Sequence, residues 1–198
     1  MTDTNDKAAP TEGGQTAWAQ IFELAFDYLA PSGDQIRIDQ IARLLSRNNR
    51  YNGATPKAYS VAEHSVYVVR HLRAAGCDIR TQQWGLLHDA PEAYMGDMVS
   101  PLKRLIGEPF VKIERGIMSV IASKYIADGL PGELPRRVKQ ADFSVFIWEA
   151  NHLFPESQRP RPWGIEGMEG AQFDYAPECV SASDAEFEFM AEAELLGL

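Results

Sequence analysis

The sequence predicts an all-α fold, and three observations carry that prediction. Apolar residues recur at helical spacing in several segments, of which Ile38, Ile41, Leu44 and Leu45 form the first. Serine, threonine and proline residues that favour helix starts precede such segments, and the alternating pattern typical of strands is scarce. We therefore expect a helical bundle in which a long irregular loop, residues 155–177, precedes the C-terminal helix.

The N-terminal region is the least regular part of the sequence. Residues 1–16 are rich in Thr, Asp, Gly and Ala and predict a disordered leader, which leaves residues 17–198 as a single domain. Residues 17–28 combine helix and strand character, so both alternatives stay open for them. Asn52-Gly53 predicts a break in the chain after the first helix.

Two helices are expected in the middle of the chain. Ser60 at the N-cap position and Glu63 at N3 have the pattern of a capping box, which predicts a helix that continues to about Ala75. Thr81 can cap the next helix, which we expect to end near Tyr94.

Prolines mark the starts of the later helices. Pro101 and Pro109 suit the first turns of helices, and the helix that begins at Pro109 is expected to continue to about Ala127. Pro135 predicts the start of a further helix that continues to about Phe154.

The C-terminal segment is acidic. From residue 155 onwards ten acidic side chains stand against two arginines, within a formal net charge of −9 for the whole chain. Ser183–Glu186 has the pattern of a second capping box and predicts the start of the C-terminal helix. The rest of the chain is near neutral and has no broad basic face, so we expect no binding of long nucleic acid.

Composition also argues against membrane and secretory classes. The chain is 45% hydrophobic and 24% charged, and no apolar run reaches the ~18–20 residues that cross a bilayer. The N-terminus lacks the basic and apolar regions of a secretory signal, and two cysteines do not make a disulfide framework. We expect a cytoplasmic protein with no membrane partner.

The adjacent pair His88-Asp89 is the first candidate for metal binding. An imidazole and a carboxylate together suit a borderline divalent ion. Adjacent helical residues point about 100° apart, so both can reach one ion only at a helix edge or kink. His64 lies on the predicted helix before this pair, and Asp142 lies on a predicted helix after it.

The order His, His-Asp, Asp on separate helices resembles the HD superfamily of metal-dependent phosphohydrolases. The stretches SVAEHS (60–65), HDAPEAYMGDMVSPLK (88–103) and VKQAD (138–142) resemble segments of bacterial HD-domain 5′-deoxynucleotidases. The resemblance covers roughly residues 38–154 and implies an HD-domain helical bundle. It also implies that one divalent metal ion per chain, Mn, Co, Fe or Zn, is bound by His64, His88, Asp89 and Asp142.

The same resemblance implies roles for further residues. Glu92 would act as a general acid or base, or orient the attacking water, and Asp97 would be a second carboxylate near the metal. Arg50 lies close to where the family has a phosphate-binding arginine, beside Tyr51 where the family commonly has tryptophan. Lys103 flanks the metal motifs and is a candidate contact for the anionic substrate.

Hydrolysis of a nucleoside 5′-monophosphate, in particular a deoxynucleotide, to nucleoside and phosphate is the function that we expect first. The alternative is release of triphosphate from a deoxynucleoside triphosphate, which needs more positive charge around the site. That charge is available from Arg47, Arg50, Lys57, Lys103, Arg104 and Lys139. A catalytically silent domain that binds a nucleotide is a third reading, although it predicts lost ligands, and all are present.

The remaining histidines argue against a two-metal site. His71 and His152 are too far along their predicted helices from the proposed ligands to join them, which disfavours the di-iron oxygenases of the superfamily. Trp163, in the irregular loop, can either fill the core or cover the site. The resembling family tends to dimerise, so a homodimer or higher homo-oligomer is expected.

Overall fold

The computed structural model describes residues 17–126 and 134–198, and this part of the chain is mostly helical. The predicted leader, residues 1–16, lies outside the described residues, as does Ala127, the expected end of one helix. The described residues form two strands and eight α-helices: β1 (Trp18–Ile21), β2 (Leu24–Asp27), α1 (Ile38–Leu45), α2 (Val61–Ala74), α3 (Ile79–Leu87), α4 (Glu92–Met95), α5 (Ser100–Ile106), α6 (Glu108–Tyr125), α7 (Arg136–Leu153) and α8 (Ala182–Leu195).

The all-α prediction is confirmed, and the small departure from it lies in residues 17–28. These residues form an antiparallel hairpin in which Trp18 is opposite Asp27. The hairpin is attached to the helices through Phe26, which is buried and stacks on Tyr94 with ring centroids 4.4 Å apart. Because this contact joins residues far apart in the chain, local sequence did not decide between helix and strand.

Helix α2 is the centre of the core. It packs against α3, α7 and α8, and its residues from Val61 to Val69 form an uninterrupted buried run. A helix that is buried on all sides has no solvated face for its polar residues. Glu63 and His64 lie within this run, so each must find its partners inside the protein.

The predicted capping box at the start of α2 is half formed. The Ser60 hydroxyl accepts a hydrogen bond from the Glu63 backbone N–H, at 3.1 Å, so the predicted N-cap is confirmed. The Glu63 carboxylate, however, accepts hydrogen bonds from the backbone N–H groups of Cys179 and Val180, at 2.9 and 3.1 Å. It therefore fixes the chain just before α8.

The predicted helix from Thr81 to Tyr94 is wrong at both ends. Asp78 is the N-cap, and its carboxylate accepts from the Thr81 backbone N–H at 2.7 Å. Helix α3 ends at Leu87, and turns over residues 88–91 separate it from the short helix α4. Pro91 has no N–H with which to continue the hydrogen-bond ladder of α3.

The start of the C-terminal helix also lies earlier than predicted. Ser181 is the N-cap of α8 and accepts from the Asp184 backbone N–H at 3.2 Å, so the capping box at Ser183 and Glu186 is wrong. Two serines near one helix start offer alternative caps, and the extended backbone of Ser181 selects it.

Other predicted breaks and starts are confirmed. Asn52 and Gly53 both have left-handed backbone conformations. Pro101 and Pro109 lie in the first turns of α5 and α6, and α7 begins directly after Pro135.

The acidic C-terminal segment is part of the bundle. On α8, Glu186 pairs with Arg47 at 2.7 Å and Glu188 pairs with Arg70 at 2.8 Å. Glu192 pairs with Arg73 of α2 at 2.6 Å. Three acidic residues of this segment therefore pair with arginines from the rest of the chain.

The long irregular loop before α8 is confirmed, and it lies against α7. The Ala171 backbone N–H donates to the Ser144 carbonyl of α7 at 2.8 Å. Trp163, 38% exposed, stacks almost parallel to Phe146 of α7, with ring centroids 6.3 Å apart. Among the described residues, no helix is both long and apolar enough to cross a membrane.

Candidate metal centre

Three helices bring four of the predicted site residues together. His64 lies on the buried helix α2, and Asp142 lies on α7. His88 is the C-cap of α3, and Asp89 follows in the turn. Because α3 ends at Leu87, the adjacent pair leaves the helix where the two side chains can reach one point, as the sequence required.

His64, His88 and Asp89 form a group that could hold a metal ion. One ligand atom from each lies within 4.8 Å of the others. The two Nε2 atoms are 3.3 Å apart, and Asp89 Oδ2 lies 3.2 Å from the Nε2 of His88. Two imidazole nitrogens and a carboxylate at this spacing fit a borderline divalent ion.

Asp142 contacts the same two nitrogens. Its Oδ1 lies 3.1 Å from the Nε2 of His64 and 3.7 Å from the Nε2 of His88. The four predicted ligands are therefore in one cluster, with two nitrogens facing two carboxylates.

Hydrogen bonds behind the cluster fix both imidazole rings. The Nδ1 of His88 donates to the Gly85 carbonyl at 2.7 Å. The Nδ1 of His64 donates to Oε1 of Glu149 at 2.5 Å. With Nδ1 acting as the donor in each ring, Nε2 is the nitrogen that faces the cluster and could bind a metal.

The imidazoles and carboxylates of the cluster form strong charge pairs. Burial lowers the pKa of His88, but the carboxylates of Asp89 and Asp142 outweigh burial and hold it well above its usual value. Burial raises the pKa of Asp142, but the two imidazoles outweigh burial and hold it well below its usual value. The carboxylates are therefore ionised and ready to act as ligands.

Arg50 lies at the edge of this cluster, and its role as a phosphate contact stays a prediction. Its Nη1 is 3.5 Å from Oδ2 of Asp89, and its Nε is 3.3 Å from Oε2 of Glu149. The Arg50 side chain is 13% exposed. Tyr51 donates its hydroxyl to Oε2 of Glu149 at 2.9 Å, and its ring lies beside Phe154.

Glu92 is a buried carboxylate close to the cluster. Its pKa is raised well above the usual value, mainly by burial and then by the charge of Asp89, against the lowering effect of Lys103. Its Oε1 accepts from the Lys103 ammonium at 3.0 Å, whereas its Oε2 has no hydrogen-bond partner among the described residues. A buried oxygen without a partner is suited to take up a proton or to accept a hydrogen bond from a water molecule.

Lys103 and Asp97 occupy the same side of the site. The Lys103 ammonium also contacts Oε1 of Glu114 at 3.1 Å, so it bridges two carboxylates. Asp97 is half-buried, and its pKa is raised by burial, opposed by Arg50. The roles of both residues toward a substrate stay predictions.

Glu149 is the site residue that sequence reasoning missed. It is 0% exposed and accepts hydrogen bonds from His64, from the Tyr59 hydroxyl at 2.6 Å and from the Tyr51 hydroxyl. A signal was present in the sequence: Glu149 lies seven residues after Asp142, two turns along the same face of one helix, within an otherwise apolar stretch.

The two remaining histidines lie elsewhere. The Nδ1 of His152 donates to the Trp148 carbonyl at 2.7 Å, within α7. The ring of His71 lies beside Phe173, with centroids 6.4 Å apart. Neither belongs to the candidate metal group.

A cavity of about 550 Å³ opens beside His88 and Asp89. Its walls combine apolar and charged side chains from α3, α6 and α7. They include Trp84, Val111, Met118, Glu114, Arg115 and Lys139. The volume is in the range of sites for small organic ligands.

Two curated proteins are similar to this chain. RCAP_rcc00048 of Rhodobacter capsulatus is 35% identical over 159 residues, which cover 75% of this chain and 80% of that protein. YfdR of Escherichia coli is 35% identical over 131 residues, which cover 65% of this chain and 67% of YfdR. Both carry the description uncharacterized protein. No family model matches the chain.

Proposed function

The chain belongs to the family of RCAP_rcc00048 and YfdR, and we propose that it is a metal-dependent phosphohydrolase of the HD superfamily. The proposed reaction is hydrolysis of nucleoside 5′-monophosphates, deoxynucleotides first among them, to nucleoside and phosphate. One observation carries the proposal: the Nε2 atoms of His64 and His88 converge on the carboxylates of Asp89 and Asp142. A site of two nitrogens and two oxygens suits Mn, Co, Fe or Zn.

The four ligands would hold one divalent ion per chain. When bound, such an ion lowers the pKa of a water molecule and polarises a phosphoryl oxygen. The Gly85 carbonyl and Glu149 hold the two imidazole rings in position for it.

Arg50 is the proposed phosphate contact. Its guanidinium lies beside Asp89, with Nη1 3.5 Å from Oδ2 of that residue, and the Arg50 side chain is partly exposed. A guanidinium binds two phosphate oxygens with parallel N–H donors, which neutralises charge and orients the phosphorus for in-line attack.

Glu92 is the proposed general base. Its unpartnered Oε2 accepts a proton from the attacking water, while Lys103 holds its Oε1. As the new phosphorus–oxygen bond forms, the bond to the nucleoside 5′-oxygen breaks and that oxygen takes up a proton. Asp97, on the same side, is a second carboxylate for relaying it.

The cavity beside the cluster is the proposed binding site for the nucleoside part of the substrate. Trp84, Val111 and Met118 offer it apolar and aromatic surface adjacent to His88 and Asp89. This combination of apolar wall and adjacent phosphate site favours an organic phosphate ester over inorganic substrates.

One observation favours a second candidate, the release of triphosphate from deoxynucleoside triphosphates. Arg115 and Lys139 line the same cavity. Two additional cations beyond Arg50 would compensate the charge of a longer phosphate chain.

Chromatographic analysis of products tests both candidates. The metal-free protein is supplied with Mn²⁺ or Co²⁺ and offered a panel of nucleoside mono- and triphosphates. The expected result is that monophosphates yield nucleoside and phosphate. Release of intact triphosphate from a nucleoside triphosphate would instead support the second candidate. If no metal supports turnover of either class, the proposal is wrong.

Two variants connect the activity to the site. Asp89→Asn is expected to lose both metal and turnover, because it removes a ligand. Glu92→Gln is expected to retain the metal and lose turnover by about 100-fold or more, because it cannot take up the proton. Full activity in either variant would remove that residue from its assigned role.

A further inference from the structure

We propose that Glu149 is a positioning residue that couples the metal centre to the turn that carries Arg50. This inference rests on the proposed metal site and concerns how this chain holds it. A fully buried carboxylate is costly unless it is completely paired, so its partners indicate what it is retained for.

The partners of Glu149 fall into two groups, one on each oxygen. Oε1 accepts from the Nδ1 of His64 at 2.5 Å and from the Tyr59 hydroxyl at 2.6 Å. Oε2 accepts from the Tyr51 hydroxyl at 2.9 Å and lies 3.3 Å from the Nε of Arg50. One side chain therefore contacts a candidate metal ligand and the candidate phosphate contact.

The first group fixes a ligand. A carboxylate behind the ring keeps the proton of His64 on Nδ1, which leaves Nε2 as the ligand atom and makes that nitrogen a better donor. Glu149 lies on the same face of α7 as Asp142, two turns further along. Helix α7 thus supplies both the candidate ligand Asp142 and the carboxylate of Glu149, which orients the candidate ligand His64 on α2.

The second group holds a strained turn. Tyr51 and Asn52 have φ values of 57° and 53°, left-handed conformations that cost residues other than glycine roughly 1 kcal/mol or more each. Such a turn persists only when its surroundings fix it. Besides the bond to Glu149, the Arg50 backbone N–H donates to the Tyr59 carbonyl at 2.9 Å.

The coupling follows from this geometry. Any shift of the Glu149 carboxylate moves the His64 ring and releases the Tyr51 hydroxyl together, because the two oxygens belong to one rigid group. Metal affinity and anion affinity are therefore expected to fall together when the charge of Glu149 is removed.

Calorimetric titration of the metal-free protein with Co²⁺ tests the first half. Glu149→Gln keeps the shape of the side chain and removes its charge, and we expect Co²⁺ affinity to fall about 10- to 100-fold. Tyr59→Phe is the matched control, because it removes a hydrogen bond from the same oxygen and leaves the contact with His64 intact. It is expected to change Co²⁺ affinity by less than about threefold.

Titration of the Co²⁺-loaded proteins with inorganic phosphate tests the second half. Phosphate is expected to bind at least about fivefold more weakly to Glu149→Gln than to the unaltered protein, and Tyr59→Phe is again the control. Equal Co²⁺ and phosphate affinities in a folded Glu149→Gln variant would overturn the inference. So would equal losses in both variants, since those would indicate a merely structural role.

Nitrogen NMR of the Zn²⁺-loaded, unaltered protein gives a result even if the variant does not fold. The expected spectrum has a protonated Nδ1 and a metal-bound Nε2 on His64, assigned by comparison with His64→Gln. The opposite arrangement would overturn the inference.

Failure of the proposed function can be distinguished from failure of this inference. An unaltered protein that binds Co²⁺ with the expected dependence on Glu149 but hydrolyses no nucleotide contradicts only the function. An unaltered protein that binds no metal contradicts both.

Discussion

The ammonium of Lys103 lies 3.0 Å from Oε1 of Glu92 and 3.1 Å from Oε1 of Glu114. This bridge joins α5, α4 and α6 at the edge of the candidate site. Burial lowers the pKa of Lys103, but the two carboxylates outweigh burial and raise it. The ammonium therefore stays charged and is held between two carboxylates of the protein.

Replacement of Lys103 distinguishes a contact with Glu92 from a contact with substrate. We expect Lys103→Met to lower kcat about 10-fold or more, because the buried Glu92 loses the cation that opposes the rise of its pKa and holds its Oε1 in place. KM is expected to change by less than about threefold, because the substrate does not lose a contact. Steady-state kinetics on the substrate identified by product analysis measures both quantities.

Arg104→Met is the control for this experiment. Arg104 is the next residue on α5, it is exposed, and its removal changes the net charge by the same amount. It is expected to leave kcat unchanged. A large rise in KM with unchanged kcat in Lys103→Met would instead support the substrate contact that the sequence predicted.

Asp142 and Asp97 are both acids near the cluster, but we expect only Asp142 to contribute to metal affinity. Asp142 contacts both Nε2 atoms, so Asp142→Asn removes an anionic ligand and should weaken Co²⁺ binding at least about tenfold. Asp97→Asn is the matched change, and its effect should stay within about threefold. Calorimetry on the two metal-free variants compares them, and equal losses would make Asp97 a ligand.

The sequence predicts the helices well because helices depend on spacing within short segments, whereas the four residues of the cluster were expected from the resemblance of three separate motifs to the HD superfamily. The adjacent His88-Asp89 pair required a helix edge, and α3 ends one residue before it. Cap positions were predicted less well where two candidates lie close together, as Ser181 and Ser183 do before α8. Local pattern does not decide between them, because the choice depends on how the preceding loop approaches the helix.

The sequence did not predict the contacts that Glu149 and Glu63 make with residues far away along the chain. Glu149 lies 85 residues from His64, and its spacing from Asp142 places it on the same face of α7 but does not indicate which residue it contacts. The Glu63 carboxylate was predicted to cap its own helix, yet the backbone of Cys179 and Val180 comes close enough to compete for it. The burial of α2 on every side forces such long-range pairing, because its polar residues cannot reach water.

The affinity for metal is expected to rise with pH. The carboxylates of Asp89 and Asp142 outweigh burial and raise the pKa of His88, and those of Glu149 and Asp142 outweigh burial and Arg50 and raise the pKa of His64. At pH 6 the metal-free imidazoles therefore carry protons that an ion must displace, and fewer protons remain as the pH rises through the raised pKa values. For each proton released, affinity should increase about tenfold per pH unit.

Calorimetry with Co²⁺ at pH 6.0, 6.8 and 7.5 measures this dependence, and buffers of different ionisation enthalpy count the protons released. The unaltered protein at matched ionic strength is its own control. An affinity that stays constant across this range would contradict the proposal that imidazole nitrogens are the ligands.

The stability of the fold is expected to be sensitive where the irregular loop crosses α7. At Gly170 an added Cβ would lie 2.6 Å from the Trp148 backbone nitrogen and 2.9 Å from the Ser144 carbonyl oxygen. Both are backbone atoms of a helix, so neither can move aside alone. Gly170→Ala should therefore force the loop away from α7 and lower the free energy of unfolding by about 1–3 kcal/mol.

Gly116 provides the matched control, because it lies inside α6 and an added Cβ there meets no atom within 4 Å. Gly116→Ala should raise the free energy of unfolding by about 0.5–1 kcal/mol, because alanine loses less backbone entropy in a helix than glycine does. Urea unfolding followed by circular dichroism measures the free energy of unfolding of both variants.

The same loop carries Trp163, whose ring lies beside Tyr51, the neighbour of the proposed phosphate contact Arg50. Displacement of the loop in Gly170→Ala should therefore also weaken phosphate binding, whereas Gly116→Ala should not. Unchanged stability in Gly170→Ala would mean that the loop does not press on α7 as closely as these distances require.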